Sequence, residues 1–119
     1  MILTNAQMYD SLLVLNQAEE KGVLGFAIAT NRRKLAEEVK EYAAKRDELL
    51  KEHGTEREAG RFSLTTEQAV AFSAALRPYA EMTADVAVRQ VTEEEFCGGG
   101  LTSSQMAVLE WMVKEVAHE

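Results

Sequence analysis

The hydrophobic positions near the start of the chain follow the spacing of an amphipathic helix. Apolar residues recur at intervals of three and four, which places them on one helical face: Met8, Leu12 and Leu15. Thr4 and Asn5 are both residue types that cap the free N–H groups of a helix, so the pattern predicts a start there. Glycine often follows the last helical turn, and Lys21-Gly22 is therefore the predicted end.

A longer pattern follows between residues 23 and 53, and it repeats every seven residues. The apolar positions of this seam are Ile28, Leu35, Tyr42 and Leu49, and the positions four residues after the first three are Arg32, Val39 and Arg46. The segment contains no proline, so it predicts one continuous helix about 45 Å long. The first helix is half that length, so we expect the rest of the seam to pack on the C-terminal half or on another chain. We expect Arg32 and Arg46 to lie along the seam and pair with carboxylates.

The middle of the chain predicts a short strand followed by a helix. Residues 55–60 are polar and predict a loop, and residues 61–64 alternate as a strand does. Thr65 and Gln68 have the spacing of a capping box, which predicts a helix over about residues 66–81. Pro78 lacks an N–H and disfavours helical geometry before it, so the helix should kink or end there.

The last third changes from period two back to a helical pattern. Residues 83–91 alternate as a half-buried strand, which we expect to pair with residues 61–64. A capping-box spacing at Thr92 and Glu95 predicts one helical turn, and residues 98–100 are glycines that predict a flexible joint. Thr102 and Gln105 predict the start of a final helix. Its buried stripe would comprise Met106, Leu109, Met112, Val113 and Val116.

Together these patterns predict a mostly α-helical α+β fold in one domain over residues 1–119. A long helical hairpin would occupy residues 4–54, a strand, helix and strand would occupy 61–91, and a C-terminal helix would occupy 102–117. A chain of 119 residues with 46% hydrophobic content can bury one core. No apolar run approaches the roughly 20 residues of a membrane span. The first five residues lack the charged and apolar regions of a signal peptide, so we do not expect secretion by that route. A single cysteine, Cys97, fits a reducing compartment, so we expect a cytoplasmic protein.

The charge distribution favours a protein partner. The net charge of −7 argues against direct nucleic-acid binding and against anionic lipid. Residues 31–51 hold seven basic and five acidic side chains, a balance of +2, so the remainder carries −9. The acidic remainder would suit a partner with a basic surface. The candidate partner-binding residues are Glu93, Glu94, Glu95, Trp111, Arg32 and Arg33.

No residue pattern points to catalysis, so we expect a protein that is not an enzyme and has no cofactor or metal. His53 and His118 lack further ligands at zinc-binding spacing. The glutamates before Cys97 disfavour a thiolate. The glycines at 98–100 are followed by Leu101 and Thr102, so they lack the lysine of a phosphate-binding loop.

Four stretches of the chain resemble small uncharacterised proteins encoded by bacteriophages and prophages. They are Leu3 to Gln7, Ala29 to Leu35, Tyr42 to Gly54, and Leu101 to Met106 with Leu109 to Met112. The resemblance implies a phage context and a helical fold, but no defined activity. The leading hypothesis is a non-catalytic protein that binds and inhibits a host nucleic-acid-handling or defence complex of the CRISPR type. The alternative is a phage structural or assembly protein that acts as a homo-oligomer, with a homodimer as its simplest form.

Overall fold

The computed structural model describes residues 1–114, which form an α+β fold dominated by helices. The helices are α1 (Asn5–Gln17), α2 (Gly22–Glu38), α3 (Lys40–His53), α4 (Thr66–Ala80), α5 (Glu93–Cys97) and α6 (Ser103–Val108). The strands are β1 (Ile2–Thr4), β2 (Thr55–Glu58), β3 (Arg61–Ser63) and β4 (Thr83–Asp85), and a 3₁₀ turn follows at Glu110–Met112. The predicted fold class is confirmed.

Four of these helices begin with a capping box. In α1 the hydroxyl of Thr4 accepts from the N–H of Gln7 at 3.0 Å, and the Gln7 side chain accepts from the N–H of Thr4 at 2.8 Å. The same reciprocal pair opens the other three helices, at Thr65/Gln68, Thr92/Glu95 and Thr102/Gln105. The three helix starts predicted from capping-box spacing are therefore confirmed, and so is the start of α1 predicted from Thr4 and Asn5 as capping residues.

The predicted continuous helix over residues 23–53 is wrong, because the helix is interrupted at Val39. This residue has φ −90° and ψ 1°, and it separates α2 from α3. Valine is β-branched and a weaker helix former than the alanine, glutamate and lysine around it. The break is slight, since the Val39 N–H still donates to the Leu35 carbonyl at 2.9 Å and the Ala43 N–H to the Val39 carbonyl at 2.8 Å.

The heptad seam is buried within this chain. Ile28, Leu35, Tyr42 and Leu49 are each no more than 7% exposed. Helix α1 packs along α2, and α4 packs along α3, so the C-terminal half of the chain covers what α1 leaves uncovered. The seam therefore needs no second chain, and it no longer supports an oligomer.

The two small sheets pair differently from the prediction. Strand β3 pairs with β2 in a hairpin that turns at Gly60, whose φ is +80°, so residues 55–58 are a strand and not a loop. Strand β4 pairs antiparallel with β1, with Leu3 opposite Ala84. A local hairpin loses less loop entropy on closure than the predicted pairing of residues 61–64 with 83–91. Beyond Asp85 the segment is not a strand, although its alternating burial persists to Gln90.

The predicted helix over residues 102–117 is wrong in its length. Helix α6 ends at Val108, and the 3₁₀ turn then leads into an extended stretch that forms a parallel bridge between Val91 and Val113. Backbone pairing explains the change, because the Val91 N–H donates to the Met112 carbonyl at 2.7 Å and the Lys114 N–H to the Val91 carbonyl at 2.8 Å. The predicted positions 115–117, which include Val116, lie outside the described residues.

The end of α1 differs from the prediction, whereas the end of α4 agrees with the predicted bounds of about 66–81. Helix α1 ends at Gln17, four residues before the predicted Lys21. Helix α4 continues through Pro78 to Ala80, so the proline lies inside the last turn, two residues before the end. Near a C-terminus the missing N–H of proline affects a single hydrogen bond, which the helix tolerates.

The main core lies between α1, α2 and the C-terminal third. Its most buried members are Met8, Leu15, Ile28, Leu35, Leu109 and Met112. A second cluster lies between α1, α3 and α4, where the Arg46 guanidinium lies 5.1 Å from the Tyr9 ring and 5.7 Å from the Phe72 ring. The predicted pairing of Arg46 with a carboxylate is thus replaced by cation–π contacts. Burial raises the pKa of the nearby Tyr42 phenol, while Arg46 acts to lower it.

Candidate protein-binding surface

Helix α2 exposes two large apolar side chains on its outer side. Val23 is 59% exposed and Phe26 is 60% exposed, although the opposite side of the same helix is fully buried in the core. Ala29 and Arg33 follow Phe26 at helical spacing and are also exposed. We call Val23, Phe26, Ala29 and Arg33 the α2 face. An ordered helix thus carries an apolar centre with a cation at one end.

The extended segment after β4 is fixed against this helix. The amide of Asn31, whose side chain is 0% exposed, donates to the Arg89 carbonyl at 2.9 Å and accepts from the Arg89 N–H at 2.7 Å. The Lys34 ammonium group donates to the Ala87 carbonyl. These contacts bring the Arg89 guanidinium to 4.8 Å from the centre of the Phe26 ring. Arg89 therefore forms a second cation of the α2 face, stacked on its aromatic centre.

Carboxylates gather at the other end of α2. Glu19, Glu20 and Glu95 line one depression of about 620 Å³ together with Lys21 and the glycines at 98–100. Three carboxylates and one ammonium group give a local charge of −2. The Gly100 N–H donates to a Glu20 carboxylate oxygen at 2.5 Å, and a Cβ at Gly99 would lie 2.5 Å from Leu24 Cδ2. Gly99 and Gly100 of the predicted glycine joint thus contact the start of α2 and Glu20 before it.

The three candidate glutamates of α5 have two different roles in the structure. Glu93 and Glu94 are exposed in the first turn of α5. The Glu95 carboxylate accepts from the Thr92 N–H at 2.9 Å as part of the capping box. This backbone hydrogen bond, with the hydroxyl of the same threonine, lowers the pKa of Glu95. Glu93 and Glu94 are therefore free to meet a partner, while Glu95 holds its own helix.

Trp111, a candidate interface residue, is half-buried and packs against the main core. Its indole N–H donates to the hydroxyl of Ser11 at 2.9 Å, and Ser11 is itself 1% exposed. The backbone carbonyl of Trp111 accepts from Gln90 at 2.9 Å. These contacts give the tryptophan a structural role between α1 and the C-terminal segment.

The adjacent arginines Arg32 and Arg33 point in different directions. The Arg32 guanidinium donates to the Leu15 carbonyl at 2.8 and 3.1 Å and to the Ala18 carbonyl at 3.1 Å, at the end of α1. Carbonyls thus take the place of the carboxylates predicted for Arg32. Arg33 is exposed, and no carboxylate of residues 1–114 forms an ion pair with it. Of the two, Arg33 is the one available for binding.

The part of the chain that the structure describes was also compared with what a metal site, a membrane-spanning helix and a disulfide require. Residues 1–114 contain no group of three or more His, Cys, Asp or Glu side chains placed to hold a metal. No helix among them is both long and apolar enough to cross a bilayer. Cys97 is exposed and has no disulfide partner.

The residues that the sequence patterns missed are Val23, Phe26, Asn31 and Arg89. Val23 and Phe26 lie off the heptad seam, which was the available sign that they face outward. The contact between residues 31 and 89 links segments 58 positions apart, so no local pattern reveals it. Comparison of the chain with protein-family models, curated proteins and solved structures finds no match.

Proposed function

We propose that this chain is a non-catalytic protein-binding protein that presents the α2 face to another protein. The observation that carries the proposal is the exposure of Val23 and Phe26 on an ordered helix, with Arg89 stacked on Phe26. Aromatic residues, including phenylalanine, and arginine are enriched in protein interfaces, and arginine is frequent among the residues that dominate binding energy. Two such residues held in fixed contact lose little conformational freedom when a partner covers them.

Photocrosslinking tests this proposal with little change to the chain. Benzoylphenylalanine at position 26 preserves an aromatic side chain and forms covalent adducts with any protein that covers it. The matched control carries the same residue at Val70, which is 67% exposed on α4 and belongs to a different helix. We expect an adduct with a protein chain from position 26 and none from position 70. Equal labelling from both positions, or none from 26, would contradict the proposal.

A second candidate function follows from the acidic end of α2, where Glu19 and Glu20 meet the α5 region. In the phage context that the resemblance implies, this end would bind a basic surface of a host nucleic-acid-handling or defence complex. It would inhibit by electrostatic and steric competition with the nucleic acid. The convergence of residues about 75 positions apart in sequence favours this candidate, because it concentrates negative charge in one place.

Charge reversal tests the second candidate. A triple variant with Glu19→Lys, Glu93→Lys and Glu94→Lys is compared in affinity capture from host extract. Its control reverses three exposed glutamates elsewhere and changes the net charge equally, with Glu37→Lys, Glu38→Lys and Glu41→Lys. We expect the first variant to lose a nucleic-acid-binding partner that the control retains. Equal capture by both would exclude a specific acidic docking site.

A further inference from the structure

We propose that the partner of the α2 face is a second copy of this chain, bound antiparallel across a two-fold axis near Phe26. The inference rests on the proposed function, since it assigns an occupant to the same surface. A two-fold interface requires a surface that is complementary to itself. The α2 face and its two ends meet that requirement in the order of their charges and in the small residues beside Phe26.

Acidic and basic side chains lie on opposite sides of Phe26 along the chain. Arg33 lies seven residues after Phe26 on α2. Glu19 lies in the connection before α2, where it lines the depression at the start of the helix together with Val23. In an antiparallel pair centred near Phe26, Arg33 of each copy faces the depression that contains Glu19 of the other. The depression that contains Glu19 has a net charge of −2, which is opposite in sign to Arg33. Glu37 and Glu38 follow Arg33 by one turn, but this register leaves them beyond the facing segments.

The apolar centre also fits its own copy. In the same register Phe26 meets Phe26, and Val23 of one helix meets Ala29 of the other. Ala29 and Gly22 are small residues on either side of Phe26, so the two helices can approach while the rings pack between them. Pairing covers two exposed apolar residues in each chain, Val23 and Phe26, which together form the most exposed apolar pair on α2.

The charge pattern favours a second copy over an unrelated partner. A different protein would need an acid, an apolar patch and a base in the matching order, whereas this chain supplies that complement itself. Arg33 has no ion-pair partner within residues 1–114, and the same holds for Arg89. Opposite charges across an interface select the antiparallel orientation, because the parallel one would place like charges together.

Sedimentation equilibrium on the purified chain measures the association, with Phe26→Ala, Arg33→Glu, Glu19→Lys and the double swap Arg33→Glu/Glu19→Lys as variants. At roughly 100 μM a dimer with micromolar Kd is nearly complete. We expect a dimer for the natural sequence and a Kd raised about 100-fold by Phe26→Ala, since both rings are lost. Each single charge reversal alters two symmetric pairs and should raise Kd about tenfold. The double swap should restore most of the affinity.

Controls and opposing outcomes separate this inference from the proposed function. Val70→Ala removes an equally exposed apolar side chain from α4 and should leave Kd unchanged, and circular dichroism verifies that each variant is folded. A monomeric natural chain, a dimer insensitive to Phe26→Ala, or a double swap no tighter than its single variants would overturn the dimer. If position 26 then still cross-links a different protein, the proposed function stands. A monomer without any such adduct would overturn both.

Discussion

The amide of Asn31 binds the backbone of Arg89 at both its donor and its acceptor. The two hydrogen bonds measure 2.9 and 2.7 Å, and the asparagine is 0% exposed. The Asn31 side chain satisfies the N–H and the carbonyl of Arg89, two backbone groups that a neighbouring strand would otherwise satisfy. The same hydrogen bonds fix the backbone position of Arg89, and they therefore help to hold its guanidinium over the Phe26 ring.

Asn31→Ala should lower the free energy of unfolding by about 2–4 kcal/mol. The change removes two hydrogen bonds and leaves backbone groups of Arg89 without a protein partner. Urea denaturation gives the value, and Asn16→Ala, at an exposed position on α1, is the matched control with an expected change below about 0.5 kcal/mol. Similar small losses in both variants would show that the Asn31–Arg89 contact contributes little to stability.

Glu95 should make stability depend on pH in the acid range. Three of the capping boxes use glutamine and that of α5 uses Glu95. Because the hydrogen bonds from Thr92 lower the pKa of Glu95 below its ordinary value of 4.5, folding favours the charged carboxylate. Its contribution is therefore fully present above pH 4.5 and is lost as pH falls through the lower, folded-state pKa.

The variant Glu95→Gln tests this linkage, because glutamine preserves the capping box without a titrating group. We expect the stability of the natural chain, relative to the variant, to be constant above pH 4.5 and to decline below it. Unfolding free energies from urea titrations across this range provide the comparison. Gln105→Glu should introduce a similar acid dependence at α6. The contrary result would be a difference between the natural chain and the Glu95→Gln variant that stays constant throughout the acid range.

The contact between Trp111 and Ser11 should appear as a coupling energy in a double-mutant cycle. Ser11→Ala and Trp111→Phe each remove one side of the hydrogen bond while largely retaining packing. We expect each to destabilise the fold by about 1 kcal/mol, because the buried partner is left unsatisfied. The double variant should cost less than the sum, with a coupling of about 0.5–1.5 kcal/mol. Additive losses would indicate that the hydrogen bond makes no contribution.

Local patterns predict the helices of this fold better than its long-range contacts. The capping-box spacings give three helix starts correctly, those of α4, α5 and α6, because both partners of each box lie within four residues. The heptad spacing correctly identifies the buried seam through Ile28 and Leu49. The break at Val39 is a change in the ψ angle of one residue, to 1°, within a helical sequence, and no proline or glycine marks it.

The failures concern pairing between distant segments. Strand β1 has three residues, too few for a pattern, and its partner β4 lies about 80 positions away. The parallel bridge between Val91 and Val113 shortens the last helix because backbone pairing there replaces helical hydrogen bonds. Long-range contacts also divide the candidate partner-binding residues into structural and exposed ones. Arg32 and Trp111 satisfy polar groups of α1, while Arg33, Glu93 and Glu94 remain exposed.

Arg32 and Arg33 are neighbours in sequence and should respond differently to the same substitution. The guanidinium of Arg32 donates three hydrogen bonds to two carbonyls at the end of α1, where the helix has no intrahelical donors for them. Lysine keeps the charge but lacks the planar fork, so Arg32→Lys should destabilise the fold by about 1–2 kcal/mol.

Arg33→Lys should change stability by less than about 0.5 kcal/mol, since the exposed side chain has no hydrogen bond within residues 1–114. It also keeps the positive charge, so it should preserve the association assigned to the α2 face. Urea denaturation of both variants, together with hydrogen exchange at the amides of residues 15–18, checks the difference. Faster exchange in Arg32→Lys alone would place its effect at the end of α1. An equally small loss of unfolding free energy in both variants would mean that the carbonyl contacts of Arg32 contribute little to stability.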